Sequence, residues 1–142
     1  MDTVLVVNAA ATWLMAGVIW IVQLVHYPLF AGVGAEGFPD YHAAHSSRIS
    51  LVVGPAMLTE AGTALALALA PPAGVAGWAA WTGLALVAVT WLATAALAIP
   101  QHGRLALGFD PAAHRRLVAG NWVRTAAWSA RGVLAAWMLA AA

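Results

Sequence analysis

The chain has 142 residues, enough for one domain; 63% of them are hydrophobic and only 8% are charged. Soluble domains carry about 25% charged residues, so this composition excludes a soluble globule, and a disordered chain needs the opposite balance. A net charge of +1 offers no nucleic-acid surface, and the lack of cysteine excludes disulfides, Fe–S clusters, zinc ribbons and thiol catalysis. The reading that fits is an integral membrane protein, one domain over residues 1–142.

Spanning helices need about 20 apolar residues, and four runs are long enough. Residues 4–30 form the first. The start, MDTVLVVN, has no basic residue and no small-residue cleavage site follows it, so the run reads as a retained helix and not a cleaved signal peptide. Residues 49–70 form the second run, ended by Pro71-Pro72. Residues 78–99 form the third, ended by Pro100, and residues 117–140 the fourth. The expected fold is all-α, a four-transmembrane-helix bundle. Segment 39–48, PDYHAAHSSR, opens with Pro39 and Asp40 in a helix-start pattern, which can extend the second helix into the cytoplasm. Gly54-Pro55 should kink that helix. Ala-rich runs at 61–70, 93–98 and 135–142 permit close helix approach and favour a homodimer.

Orientation follows from the basic residues, all six of which are arginine. Loops 31–48 and 100–116 share one side and hold Arg48, Arg104, Arg115 and Arg116. The other side, with Asp2, loop 71–77 and the C-terminus, holds none. The positive-inside rule then places the polar loops in the cytoplasm and both termini outside, in the inner (plasma) membrane.

Polar groups at membrane depth are costly and tend to be functional. Gln23 and His26 share a face of the first helix. Glu60 lies about 16 Å into the second helix, near the bilayer centre. Thr90 and Thr94 share a face of the third. Asn121, Arg124, Thr125, Trp128 and Arg131 form one inward stripe on the fourth. Glu60 needs a cationic partner, and either Arg124, about 10 Å deep, or Arg131, about 20 Å deep, can reach it. A buried pair can serve simply to set helix register, but two arginines for one acid leave positive charge that invites an anionic group or a carbonyl oxygen. Glu60, Arg124, Arg131, Gln23 and Asn121 are therefore the candidate catalytic residues.

Four of the five histidines, His26, His42, His45 and His102, fall near the cytoplasmic mouth. His42 and His45 share a face if 39–48 is helical. Imidazoles from separate segments at one level suit zinc, iron or copper. Glu60 is about 22 Å from His45 along a continuous helix, so Glu36 or Asp40 is the expected acidic ligand. His26 with His102 is the best axial pair for a haem. His114, beside Arg115 and Arg116, should be solvated. Trp13, Trp78, Trp81 and Trp137 fit an outer interfacial belt and Trp122 an inner one. Trp20, Trp91 and Trp128 lie deeper, as pocket lining or as filling between small residues.

From Pro100 to Arg131 the chain reads P-x-H-x-x-L, a spacer, then L-V-x-x-N-W-x-R-T-x-x-W-S-x-R. This resembles the second half of the anthrone-oxygenase-like family of small four-helix membrane proteins. His102 stands where that family more often has Asn, and Asn121 where it often has His. The first half carries Q-x-x-H-Y-P (Gln23, His26, Tyr27, Pro28) and Y-H-x-x-H-x-x-R (Tyr41, His42, His45, Arg48), the pattern of a distinct subgroup. The architecture is also similar to the four-helix bacterial protoporphyrinogen oxidase, which holds haem through membrane histidines. The resemblance implies a four-helix bundle and oxidation of an aromatic or polycyclic lipophilic substrate.

Three functions are in competition. The first is a metal-dependent membrane oxidoreductase or oxygenase acting on a lipophilic small molecule, with His26, His45 and His102 on the metal, His42 as a further ligand or proton shuttle, and Arg124 facing developing negative charge. The second is a haem-binding protein. The third is a small proton-coupled transporter using Glu60.

Overall fold

A computed structural model describes residues 2–142. Four helical rods account for most of the chain. We name them α1 (Thr3–Gly32), α2 (Phe38–Leu69), α3 (Gly77–Leu105) and α4 (Pro111–Ala141). The first three are each long and apolar enough to cross a membrane. The fourth has 31 residues and carries the inward polar stripe.

The helices are longer than the apolar runs that announce them. Asp2 caps α1, its carboxylate accepting the Leu5 amide at 2.9 Å. Helix α2 starts at Phe38 with Pro39 in its first turn, so the polar segment 39–48 is helix and not loop. Pro55 sits inside this rod without ending it. It has no N–H for the Leu51 carbonyl, which marks the expected point of bending. Helix α4 begins at Pro111, six residues ahead of its apolar run, because Asp110 accepts the Ala112 and Ala113 amides at 2.8 and 3.2 Å. An aspartate cap followed by proline is a strong helix start.

Pro100, expected to end the third helix, is absorbed, and Pro28 is accommodated in the same way. Pro28 and Pro100 both lie within continuous rods, and each follows one wide π turn, Val22–His26 in α1 and Thr94–Ala98 in α3. The residue before each proline closes that turn: the Tyr27 amide donates to the Val22 carbonyl and the Ile99 amide to the Thr94 carbonyl. The extra residue resets the helix so that each proline falls in the first turn of a fresh α segment, where its missing N–H leaves no gap. Pro100 therefore does not end the third helix, which runs on through His102 to Leu105.

The rods pack as a ring, α1 against α2 and α4, and α3 against the same two. The core has two apolar parts. One surrounds Met15, Ile19, Phe30, Met57, Leu117 and Trp128, and the other Leu5, Leu67, Val75, Ala79 and Met138. Between them lies a polar layer centred on Arg131. Its Nε donates to Glu60 Oε1 at 2.7 Å. Its other nitrogens donate to the Gly83 carbonyl, to Thr12 Oγ1 at 3.0 Å and to Asn8 Oδ1 at 3.3 Å. Glu60 is completely buried and also accepts Thr12 Oγ1 and Trp128 Nε1, both at 2.9 Å. Arg131 is thus the partner of Glu60, and one guanidinium ties all four helices. Of the deeper tryptophans only Trp128 is core; Trp20 and Trp91 are each 41% exposed and face outward with the interfacial ones.

Glu60→Gln leaves a buried cation without a counter-charge. We expect it to lower stability by about 3–5 kcal/mol in reversible unfolding, with much of the loss recovered by adding Arg131→Met; a double variant no better than the single would contradict this. The Ala113 and Ala112 amides hold the Asp110 carboxyl below the ordinary aspartate range. Its contribution is present above the unfolded pKa and is lost as pH falls through the lower folded value. Amide exchange at Ala112 and Ala113, corrected for intrinsic rates, should accelerate on acidification below about pH 4, and Asp110→Asn, which caps without titrating, should remove that step.

Candidate functional site

The two π turns set the site. His26 is the last residue of the first, with Tyr27 just beyond it, and His102 follows the second by four residues. These ends of α1 and α3 meet the start of α2, whose helical register puts His42 and His45 on one face. The four imidazoles join into one cluster. His26 Nε2 lies 2.6 Å from His45 Nδ1, and His42 Nε2 lies 2.9 Å from His102 Nδ1. The His45 ring stacks on that of His102 with centroids 5.9 Å apart, and lies 4.3 Å from that of His26. Tyr27 Oη completes the chain at 2.9 Å from His102 Nε2. Phe30 and Phe38 pack edge-on and flat against these rings.

The four histidines that the sequence groups together are therefore in contact, from three helices. The expected acidic ligands are not among them: Glu36 and Asp40 are exposed. Among the described residues no three His, Asp or Glu side chains converge on one metal-ligand point; the imidazoles meet in pairs. His114, expected in solvent, is half-buried, with Nε2 2.7 Å from the Tyr27 carbonyl oxygen, so it braces the chain end that presents Tyr27. Tyr27 was not a sequence candidate. The signal for it was the Tyr-Pro pair after His26, which marks a helix that must widen to continue.

Two cavities meet the cluster. A groove of about 580 Å³ between α1 and α2 is lined by Val18, Ile21, Val22, Ile49 and Val52, with His26, Tyr41, His45 and Arg48 at its polar end. A smaller cavity of about 150 Å³ lies inside the bundle, lined by Tyr27, His45, His102, Ser50, Thr94 and Arg124 among apolar side chains. His45 lines both and so stands between the open groove and the interior.

Gln23, Asn121 and Arg124 lie beneath the inner cavity as one network. Asn121 Nδ2 donates to Gln23 Oε1 at 2.9 Å, and Gln23 Nε2 to the Val118 carbonyl at 3.2 Å. This fixes Asn121 Oδ1 toward Arg124 Nη1, 3.1 Å away. The Arg124 guanidinium sits 5.3 Å from the Trp128 ring centroid. Glu60 and Arg131, the other candidate catalytic residues, belong to the polar layer and line neither cavity. Both Glu60 oxygens hold donors, an arrangement suited to structure and not to carrying protons.

What the assembly offers chemically is a string of imidazoles and one phenol, able to ligate an ion or pass protons, between a greasy open groove and a cationic interior pocket. Searches against protein-family models, curated proteins and solved structures find no match to the chain.

Proposed function

We propose that the protein is a membrane-embedded oxidoreductase or oxygenase that acts on a lipophilic, aromatic small molecule, with a transition-metal ion held by His26, His42, His45 and His102. The observation that carries this reading is the position of His45, at once part of the imidazole cluster and a wall of the apolar groove. A lipophilic molecule in that groove is brought against the cluster without leaving an apolar surround. Imidazole nitrogens with a phenol oxygen nearby form a donor set suited to zinc, copper or iron. Such an ion supplies Lewis acidity or electron transfer when bound. The chain's own residues then have separable tasks. The groove binds the apolar body. Tyr27 Oη pairs with His102 Nε2, so it would orient a His102 that ligates through Nδ1 and hold a proton at the edge of the inner cavity. Phe30 and Phe38 keep water from the rings.

The packing favours an ion over a haem. The His45 ring neighbours both His26 and His102, the proposed axial pair, and a macrocycle between them would have to displace it. The engaged state of Glu60 gives no support to proton-coupled transport.

In this reading all four rods span the bilayer, α4 included. Its 31 residues rise about 46 Å, beyond the roughly 30 Å hydrocarbon core, and the charged side chains within its apolar run, Arg124 and Arg131, turn inward. The His cluster and the ends near Arg48, Arg104, Arg115 and Arg116 then face the cytoplasm of the inner membrane, with both termini outside. Small residues on the outer faces suit a homodimer.

Purified protein should carry iron, copper or zinc near one per chain by elemental analysis. His45→Ala and His102→Ala should each lower metal affinity by at least about tenfold, while His114→Gln should retain it. Metal-free preparations that keep full turnover would overturn the reading. Because the chain has no cysteine, single cysteines report sidedness directly. In intact cells an impermeant maleimide should label Ala73→Cys, and Leu107→Cys only after lysis; the reverse pattern would invert the topology.

A further inference from the structure

Arg124 presents a problem that the histidine cluster does not solve. It is 7% exposed and carries a cationic guanidinium. A buried charge without a counter-charge is costly in a protein and more so in a membrane. Among the described residues the one ion pair is Arg131 with Glu60, so the only buried acid is taken. Asp2, Glu36 and Asp40 are exposed at the helix ends, and Asp110 caps α4. Arg124 Nη1 has Asn121 Oδ1, a neutral acceptor, and the Trp128 ring lies nearby. Its Nε is buried with no hydrogen-bond partner.

Arg124 lines the inner cavity of about 150 Å³, whose wall also holds Tyr27, Ser50, Thr94 and His102. The guanidinium is also preoriented, since Gln23 locks the Asn121 amide that holds it. We propose that this cavity is a binding site for one carboxylate, received by the fork of Arg124 with Tyr27 as a second donor. A planar carboxylate matches a guanidinium edge and brings one negative charge to one positive one. A dianionic phosphate would leave a buried excess charge. The space is about that of five water molecules, enough for a carboxylate and a short stem. Two sources share this chemistry: a small free acid such as acetate, or the head of a lipophilic acid whose chain continues toward the groove beyond His45. The proposal does not depend on the metal ion.

The test is equilibrium dialysis of labelled acetate and octanoate, with octanol as the uncharged control, on detergent-purified full-length protein before and after chelation. We expect saturable binding at one site per chain that persists after chelation. Octanoate binding more tightly than acetate identifies a lipophilic acid, and equal affinities a small free one. Arg124→Gln should weaken binding by about ten- to a hundredfold, the range for a charged hydrogen bond. Tyr27→Phe, which keeps the cation, should weaken it severalfold and stands as the test if the arginine variant does not fold. No saturable binding by the unaltered protein, unchanged affinity in a folded variant, octanol competing equally, or loss of binding on chelation would each overturn the proposal.

Discussion

The bundle depends on one guanidinium. Helices in lipid gain little from burying apolar surface against one another, since lipid tails are as apolar as leucine. Directional polar contacts must therefore fix register, and Arg131 reaches a group on each of the other three helices: Asn8 and Thr12, Glu60, and the Gly83 carbonyl. Other side chains cross between pairs of helices, as Trp13 to the Gly132 carbonyl and Gln23 to the Val118 carbonyl, both from α1 to α4. A slip of one residue in any helix would strand a charge or a carbonyl in hydrocarbon. The same logic explains why Glu60 accepts from Thr12 and Trp128 as well: every lone pair of a buried carboxylate left without a donor raises the cost of holding it there.

With register set at that layer, the far end of the bundle is free to be irregular. Both π turns lie there, each just ahead of a proline, one in α1 and one in α3. A π turn inserts one residue without breaking the rod, so everything beyond it rotates by roughly 100° relative to a straight helix. That rotation aligns Tyr27 with His102 and lets both meet α2. Irregular backbone near a cluster of imidazoles is a common companion of function. In this chain it has a definite cause, the prolines at 28 and 100.

The sequence made the polar inventory legible because charge is so scarce. Glu60, Arg124, Arg131 and the histidines stand out against an apolar background, and a four-rod reading follows from run length. Three things were hidden. Helix ends were misplaced where a polar segment continued a rod, as at 100–105 and 111–116, because apolar run length measures lipid contact and not helix; the extension over 39–48 was legible from Pro39 and Asp40. Pro100 looked like a stop because a one-dimensional pattern does not show a π turn. The choice between Arg124 and Arg131 as partner of Glu60 depended on packing angles between α2 and α4, which spacing along either helix does not carry.

Resolving that choice gives the two arginines different meanings. They sit seven residues apart on one face of α4, two turns of the same stripe, and Trp128 lies between them. Its indole N–H holds Glu60 and its ring lies beside Arg124. The tryptophan is completely buried, so it links Arg124 to the structural layer. Each nitrogen of Arg131 has an acceptor inside the protein. Arg124 has an identical side chain and is buried two turns away, but it lines a cavity and keeps one donor unmet. A chain with a single buried acid stabilises one such cation internally, and the second makes sense where an acid comes from outside the protein.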